Sequence, residues 1–315
     1  MLPPILLLTA LTALLATLGS AALLIRPACN RGWCDIPDRK LKPHARPTPF
    51  IGGIAILLGL ALALLSSHLS LVTHYPYLAW LALALLALAA GSYDDFRWKG
   101  VSVPGRKILL QAAAALLGAT ALWSVGVRIH AQPFASIGLV AAFILGSMNS
   151  YNLEDGMDGL AAGEALISAL ALCLLGAGPV AIALAGALAG FLILNRHPAR
   201  VFLGDGGSHL IGALLAALAL TATHSGAIAR SSQLANVLPA SLILGLPILG
   251  TAWVIVRRLL RRQPVTTGAR DHIYDLLHAH LLARHPSLET HKWTVALCWA
   301  IHAILAAIGV LWLTT

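Results

Sequence analysis

Charge and aromatic side chains are both scarce in this chain: charged residues make up 10% of it and Phe, Trp and Tyr 6%, while 58% is hydrophobic. A soluble domain carries roughly 25% charged residues, so this composition, with a mean hydropathy of +0.83, places most of the chain in lipid. Alternation is missing too. Stretches such as Leu78 to Ala90 run apolar without a period of two, which excludes a membrane barrel and leaves helices. The formal charge of +9 sits between apolar runs, where it sets orientation and meets anionic lipid heads, and nucleic acid is excluded as a partner. Cysteine chemistry is also lacking. Cys173 and Cys298 fall inside apolar runs, and Cys29 and Cys34 have a spacing that suits neither a zinc ribbon nor a redox pair. Neither repeats, Ser/Gly linkers nor paired broken helices of the transporter kind occur, so residues 1–315 read as one integral-membrane domain. The first apolar run, Leu2 to Ile25, lacks a basic leader and exceeds a signal-peptide core, and is expected to stay as the first span.

What is present is a series of long Leu/Ala runs. At about 20 residues per crossing, spans fall near 3–25, 50–67, 77–93, 107–125, 134–153, 159–176, 179–195, 208–224, 237–257 and 293–313. The expected fold is all-α and polytopic, with about ten transmembrane helices. Assigning alternate loops to alternate sides puts all but Arg128 and Arg230 of the 21 Lys and Arg residues in or at the edges of loops 26–49, 93–107, 196–207 and 257–292. Those loops are expected to face the cytoplasm, with both termini outside. The acids repeat this asymmetry, although orientation rules do not ask it of them. All lie in loops assigned to the cytoplasmic side or at the helix ends beside them, with Glu164 a turn deeper.

The acids occur in blocks. Gly91-Ser92-Tyr93-Asp94-Asp95 closes one apolar run, and Lys99, Arg106 and Lys107 follow in the next loop. Between residues 149 and 160, two amides and three acids gather at a helix junction: Asn149, Asn152, Glu154, Asp155 and Asp158. Asn152 and Asp155, three apart, can share a helix face, and such oxygens can hold a hard cation or its waters. Asn195 opens a segment that reaches Phe202-Leu203-Gly204-Asp205-Gly206-Gly207-Ser208. Here an acid sits at a glycine-rich helix start whose free N–H groups and dipole suit a phosphate. Asp35 to Gly53 joins cations to another glycine-rich helix start. Arg270 and His272 lie beside an amphipathic helix expected from about 271 to 284, where phosphate contact or proton handling is available. His278, His280, His285 and His291 are too loosely spaced for a zinc motif.

In this order the blocks resemble the polyprenyl-phosphate N-acetylhexosamine 1-phosphate transferases, an integral-membrane family that includes the muramoyl-pentapeptide translocase and the initiators of O-antigen and teichoic acid synthesis. The resemblance rests on Asp94-Asp95 with Lys107 downstream, on the Asn152 to Leu160 block, and on Phe202 to Ser208. It implies about ten helices around an active-site cleft on the cytoplasmic face of a bacterial inner membrane. There Mg²⁺, with Mn²⁺ as a substitute, holds a UDP-sugar, and a polyprenyl phosphate attacks the sugar-linked phosphorus so that UMP leaves. By the same resemblance Asp205 and Asn152 are metal ligands. Phe202 and Asn195 contact uridine, and Lys107, Gly204 and Arg270 belong to the phosphate-binding surface. Asp94 and Asp95 position or deprotonate the acceptor, Asp155 and Asp158 organise the nucleotide site, and His272 completes the set. A homodimer is compatible with it. One departure separates this chain from the translocase branch: His272 is followed by Ile273, Tyr274 and Asp275 rather than by further histidines, which looks more like the O-antigen and teichoic-type initiators. The competing class, a lipid or ion transporter with a cytoplasm-facing acidic site, would need ionisable groups through the spans, whereas the acids cluster at one face.

Overall fold

The computed structural model describes residues 4–37, 46–67, 75–97, 104–224, 237–264, 271–287 and 289–315. These form twelve helices: α1 (Pro4–Asn30), α2 (Gly52–Ser67), α3 (Tyr75–Arg97), α4 (Pro104–Ser124), α5 (Pro133–Glu154), α6 (Leu160–Leu174), α7 (Gly178–Asn195), α8 (Gly204–His224), α9 (Val237–Ile243), α10 (Gly245–Leu260), α11 (Ile273–Arg284) and α12 (Thr290–Thr314). The described sheet is a single antiparallel pair, β1 (Cys34–Asp35) with β2 (Thr48–Pro49), which pairs Cys34 with Pro49 and Asp35 with Thr48. The protein is thus an all-α, multi-pass membrane protein.

All ten apolar segments are helical. Six helices are long and apolar enough to cross a membrane, and three apolar stretches, Gly52–Ser66, Trp80–Tyr93 and Leu160–Leu174, are shorter. The ninth differs from expectation: 237–257 is not one helix but the pair α9 and α10, bent by 108° at Leu244. Gly245 adopts a φ of +57°, and Pro247 lacks the N–H that would continue the helix ladder. Both residues fall inside an uninterrupted apolar run, so hydropathy does not register them.

Packing follows the logic of helices in lipid, where small residues let backbones approach and leucines face outward. On α1, Thr9, Ala13, Thr17 and Ala21 are buried while Leu7, Leu11, Leu15 and Leu23 are exposed. The buried set recurs every four residues, so it forms one stripe, and that stripe packs on α2 and α7. The axis of the bundle is α8. Every residue from Gly206 to Leu220 is buried, as suits a helix apolar all round, and α2, α3, α5, α6 and α9 surround it. The N-terminus of α8 is therefore the point at which the helix ends of the basic side converge.

Candidate active site

Two helices, α4 and α5, present polar side chains to the start of α8 in two rungs, and α3 adds a carboxylate. In the outer rung, Lys107 from the first turn of α4 forms an ion pair with Asp205, and its ammonium also donates to Asn152 Oδ1 at 3.4 Å. Asn152, near the end of α5, donates to Asp205 Oδ1 at 2.8 Å and to Ser208 Oγ at 3.1 Å. The inner rung lies one turn along each helix. His209 Nδ1 donates to the Asp205 carbonyl, and its Nε2 accepts from the Gln111 amide. Gln111 Oε1 in turn accepts from Asn149 Nδ2 at 3.1 Å. Of the inner rung, the sequence reading names Asn149 but not Gln111 or His209, whose signal is their place four residues after Lys107 and Asp205, the spacing of helical neighbours. Its satisfied bonds fix the rotamers behind the outer rung.

Asp95 enters from the end of α3. Its Oδ1 accepts from the Asp205 N–H at 3.1 Å and its Oδ2 from the Gly206 N–H at 3.0 Å. A carboxylate supplied by another helix therefore caps α8 and meets its positive dipole end. This revises the expectation of an open phosphate-binding helix start at Gly204: the first two amides of α8 past Gly204 already have a partner. The approach is close. A Cβ on Gly206 would lie 2.4 Å from Ser92 Oγ, and one on Gly91 2.3 Å from the Asp205 carbonyl oxygen. Asp94 is on the same last turn of α3, and its side chain lies outside the described structure.

A second cluster organises the junction of α5 and α6. Asn195 is buried, accepting from the Gly159 N–H at 3.1 Å and donating to the Val201 carbonyl at 2.9 Å. Both ends of its amide thus tie two loops together. Asp158 Oδ2 accepts from the Ala199 N–H at 3.0 Å and faces His197 Nδ1 at 2.7 Å. Between the clusters stands Asp155, the residue that ends α5, which accepts no hydrogen bond among the described residues. Burial, then the nearby charges of Asp205, Asp158 and Asp95, push its pKa well above the ordinary carboxylate range. Phe202 is half-buried and backbone-bonded on both sides, its N–H to the Pro49 carbonyl at 2.9 Å and its carbonyl to the Gly52 N–H at 3.0 Å.

The last loop reaches the same end of the bundle through α11. The Tyr274 hydroxyl donates to the Leu153 carbonyl at 3.2 Å, and Asp271 is clasped by Arg257 and by Arg258 at 2.6 Å. The Arg258 hydrogen bond and the two guanidinium charges hold the Asp271 pKa below its usual value, against a smaller opposing effect of burial. His272 is buried, its Nδ1 has no hydrogen-bond partner among the described residues, and burial lowers its pKa below 6.5. The imidazole is neutral at physiological pH. Arg270 lies outside the described residues. Glu164 is buried away from the Lys107–Asp205 contact, and neither of its carboxylate oxygens has a hydrogen-bond partner among the described residues.

The outer rung offers hard oxygen donors, a carboxylate and an amide carbonyl, with an ammonium already drawn to the carboxylate. Such a set suits a small divalent cation held by one or two protein oxygens together with substrate phosphates.

Comparison with known proteins agrees with this geometry. Residues 77–223 match the family described as glycosyl transferase family 4. Over 322 aligned positions the chain is 30% identical to a probable undecaprenyl-phosphate N-acetylglucosaminyl 1-phosphate transferase of Bacillus subtilis, covering 96% of this chain and 86% of the relative. The chain belongs to the polyprenyl-phosphate N-acetylhexosamine 1-phosphate transferase family. Within it, a decaprenyl-phosphate N-acetylglucosaminephosphotransferase of Mycolicibacterium smegmatis is 32% identical over 280 residues, covering 77% of this chain and 69% of the relative. A phospho-N-acetylmuramoyl-pentapeptide-transferase of Desulforamulus reducens is 32% identical over 297 residues, covering 84% and 81%. The family match runs from α3 to α8 and so takes in both rungs, Asp95, Asp155, Asp158 and Asn195, but not His272.

Proposed function

We propose that this protein transfers an N-acetylhexosamine 1-phosphate from a UDP-sugar to polyprenyl phosphate, releasing UMP, as the first membrane step of a cell-surface glycan. The observation that carries the reading is the outer rung, in which Lys107, Asn152 and Asp205 converge from three helices while Asp95 caps the helix that bears Asp205. Phosphoryl transfer asks for charge neutralisation and in-line alignment more than for covalent help. An oxygen of the acceptor phosphate forms a bond to the sugar-linked phosphorus, and the bond from that phosphorus to the UMP oxygen breaks. Asp205 and Asn152 Oδ1 fit Mg²⁺, or Mn²⁺ in its place, which when bound would supply positive charge at the pyrophosphate. Lys107 would leave Asp205 for a phosphate oxygen.

The chain's own groups do the positioning. Asp95, with both oxygens on backbone N–H groups, orients Asp205. The second pKa of a phosphate monoester is near 6, so the acceptor is largely dianionic at neutral pH and has little need of a base. Asp155 and Asp158 frame the nucleotide side. The reading extends to a bacterial inner membrane with about ten crossings, the basic loops and the cleft inward and both termini outward, and to the initiator branch, on the strength of Tyr274 in place of a histidine. The test is transfer of label from UDP-GlcNAc, within a panel of UDP-hexosamines, to undecaprenyl phosphate by purified protein. Label should become butanol-extractable with Mg²⁺ and not with EDTA. Folded protein that labels no lipid from any donor overturns the proposal and favours transport.

A further inference from the structure

The histidines that form no motif in the sequence meet a carboxylate in the fold. One donor atom each from Asp158, His197 and His291 lies within 4.8 Å of the other two. They come from three segments: the loop before α6, the turn after α7, and the first turn of α12. The rings of His197 and His291 stack with centroids 4.0 Å apart and planes 24° apart. His197 Nδ1 is 2.7 Å from Asp158 Oδ2, and His291 Nε2 is 3.3 Å from the Asp158 carbonyl oxygen. The neutral tautomer of His197 protonated at Nε2 has its Nδ1 lone pair beside Asp158 Oδ2, neutral His291 likewise offers a nitrogen lone pair, and both belong to half-buried residues that solutes can reach. None of the three residues touches Lys107, Asn152 or Asp205 through a described hydrogen bond.

We propose that Asp158, His197 and His291 form a second metal site, for a divalent transition-metal ion of the zinc class. Two imidazoles and one carboxylate, with water as a fourth ligand, are a donor set that suits Zn²⁺, Co²⁺ or Ni²⁺ better than Mg²⁺, in contrast to the oxygens at Asp205. At metal–donor distances of about 2.0–2.1 Å, tetrahedral ligands sit roughly 3.3 Å apart. The 2.7 Å His197–Asp158 contact therefore opens slightly, and the widest separations close by side-chain rotation. The bound ion fastens the start of α12 to the loop that carries Asp158 and to the turn that follows Asn195.

This inference does not rest on the transferase reading, and its test uses no sugar donor. Tag-free, detergent-purified full-length protein is titrated with Co²⁺ and then Zn²⁺. One Co²⁺ per chain should bind with the intense visible absorption of a four-coordinate site, Zn²⁺ should displace it, and Zn²⁺ should raise the Tm. The His197→Gln/His291→Gln double variant should lose the spectrum and the Tm response, while Asp205→Asn should keep both. As a measurement free of variants, Zn²⁺ should protect His197 and His291 of the wild type from diethyl pyrocarbonate. A wild type that binds no Co²⁺, a double variant that binds it unchanged, or histidines left unprotected by Zn²⁺ overturns the site.

Discussion

Asp95 and Asp205 are carboxylates on neighbouring helix ends, and their bonds give them different work. Asp205 faces an ammonium and an amide, both of which can exchange for substrate or cation, whereas Asp95 faces two backbone N–H groups that cannot move without unwinding α8. Asp205→Asn is therefore expected to lower kcat by ~100-fold or more and to leave the Tm nearly unchanged. Asp95→Asn should instead act through stability. One of the two N–H groups would meet an NH₂ donor, a loss of about 1–2 kcal/mol, which lowers the Tm by roughly 2–6 °C alongside reduced activity. Thermal melts and kinetics on both variants separate these roles. An Asp95→Asn protein with an unaltered Tm and no activity would make Asp95 a proton acceptor rather than a cap.

At the scale of elements, the site depends on how closely α3 and α8 approach. Gly206→Ala would place a methyl 2.4 Å from Ser92 Oγ, whereas at Gly250 on α10 the nearest atom to an added Cβ is 3.6 Å away. The first substitution should separate the two helices and cost both stability and activity, and the second should be tolerated. Equal effects on Tm would contradict the packing account. The docking of α11 has a pH dependence whose sign follows from Asp271. Because its folded pKa is depressed, its contribution is present above the unfolded value of about 3.9 and is lost as pH falls through the lower folded value. His272, also depressed, chiefly by burial, stays neutral above 6.5 and, on acidification, becomes a buried charge that Asp271 favours and Arg258 and Arg257 oppose. Hydrogen exchange in 273–284 should thus show steady protection between pH 7 and 8 in the wild type, and reduced protection at pH 7.5 in Asp271→Asn. A wild-type helix that loosens within that interval would implicate a different group.

For the whole molecule, the sequence carries whatever a local period or run can encode. Ten apolar segments are enough to locate every long helix, and the one-sided distribution of acids points to one chemical face. The amphipathic stretch near 271–284 appears as α11 at Ile273–Arg284. What depends on register between distant segments is not encoded locally. Asp95 caps a helix 110 positions away, and Asp158 meets a histidine 39 positions on. Likewise the bend at Leu244 hides in an apolar run, where a glycine and a proline look like ordinary membrane residues. The central claim is that a sugar phosphate, not a bare sugar, passes to the lipid across the Asp205 centre. Its most direct measurement uses UDP-GlcNAc carrying ³²P in the sugar-linked phosphate and ¹⁴C in the sugar, with undecaprenyl phosphate and Mg²⁺. The account predicts that both labels reach the lipid in equal amounts, that UMP is released, and that Asp205→Asn transfers neither. Transfer of ¹⁴C with ³²P left in UDP would contradict it.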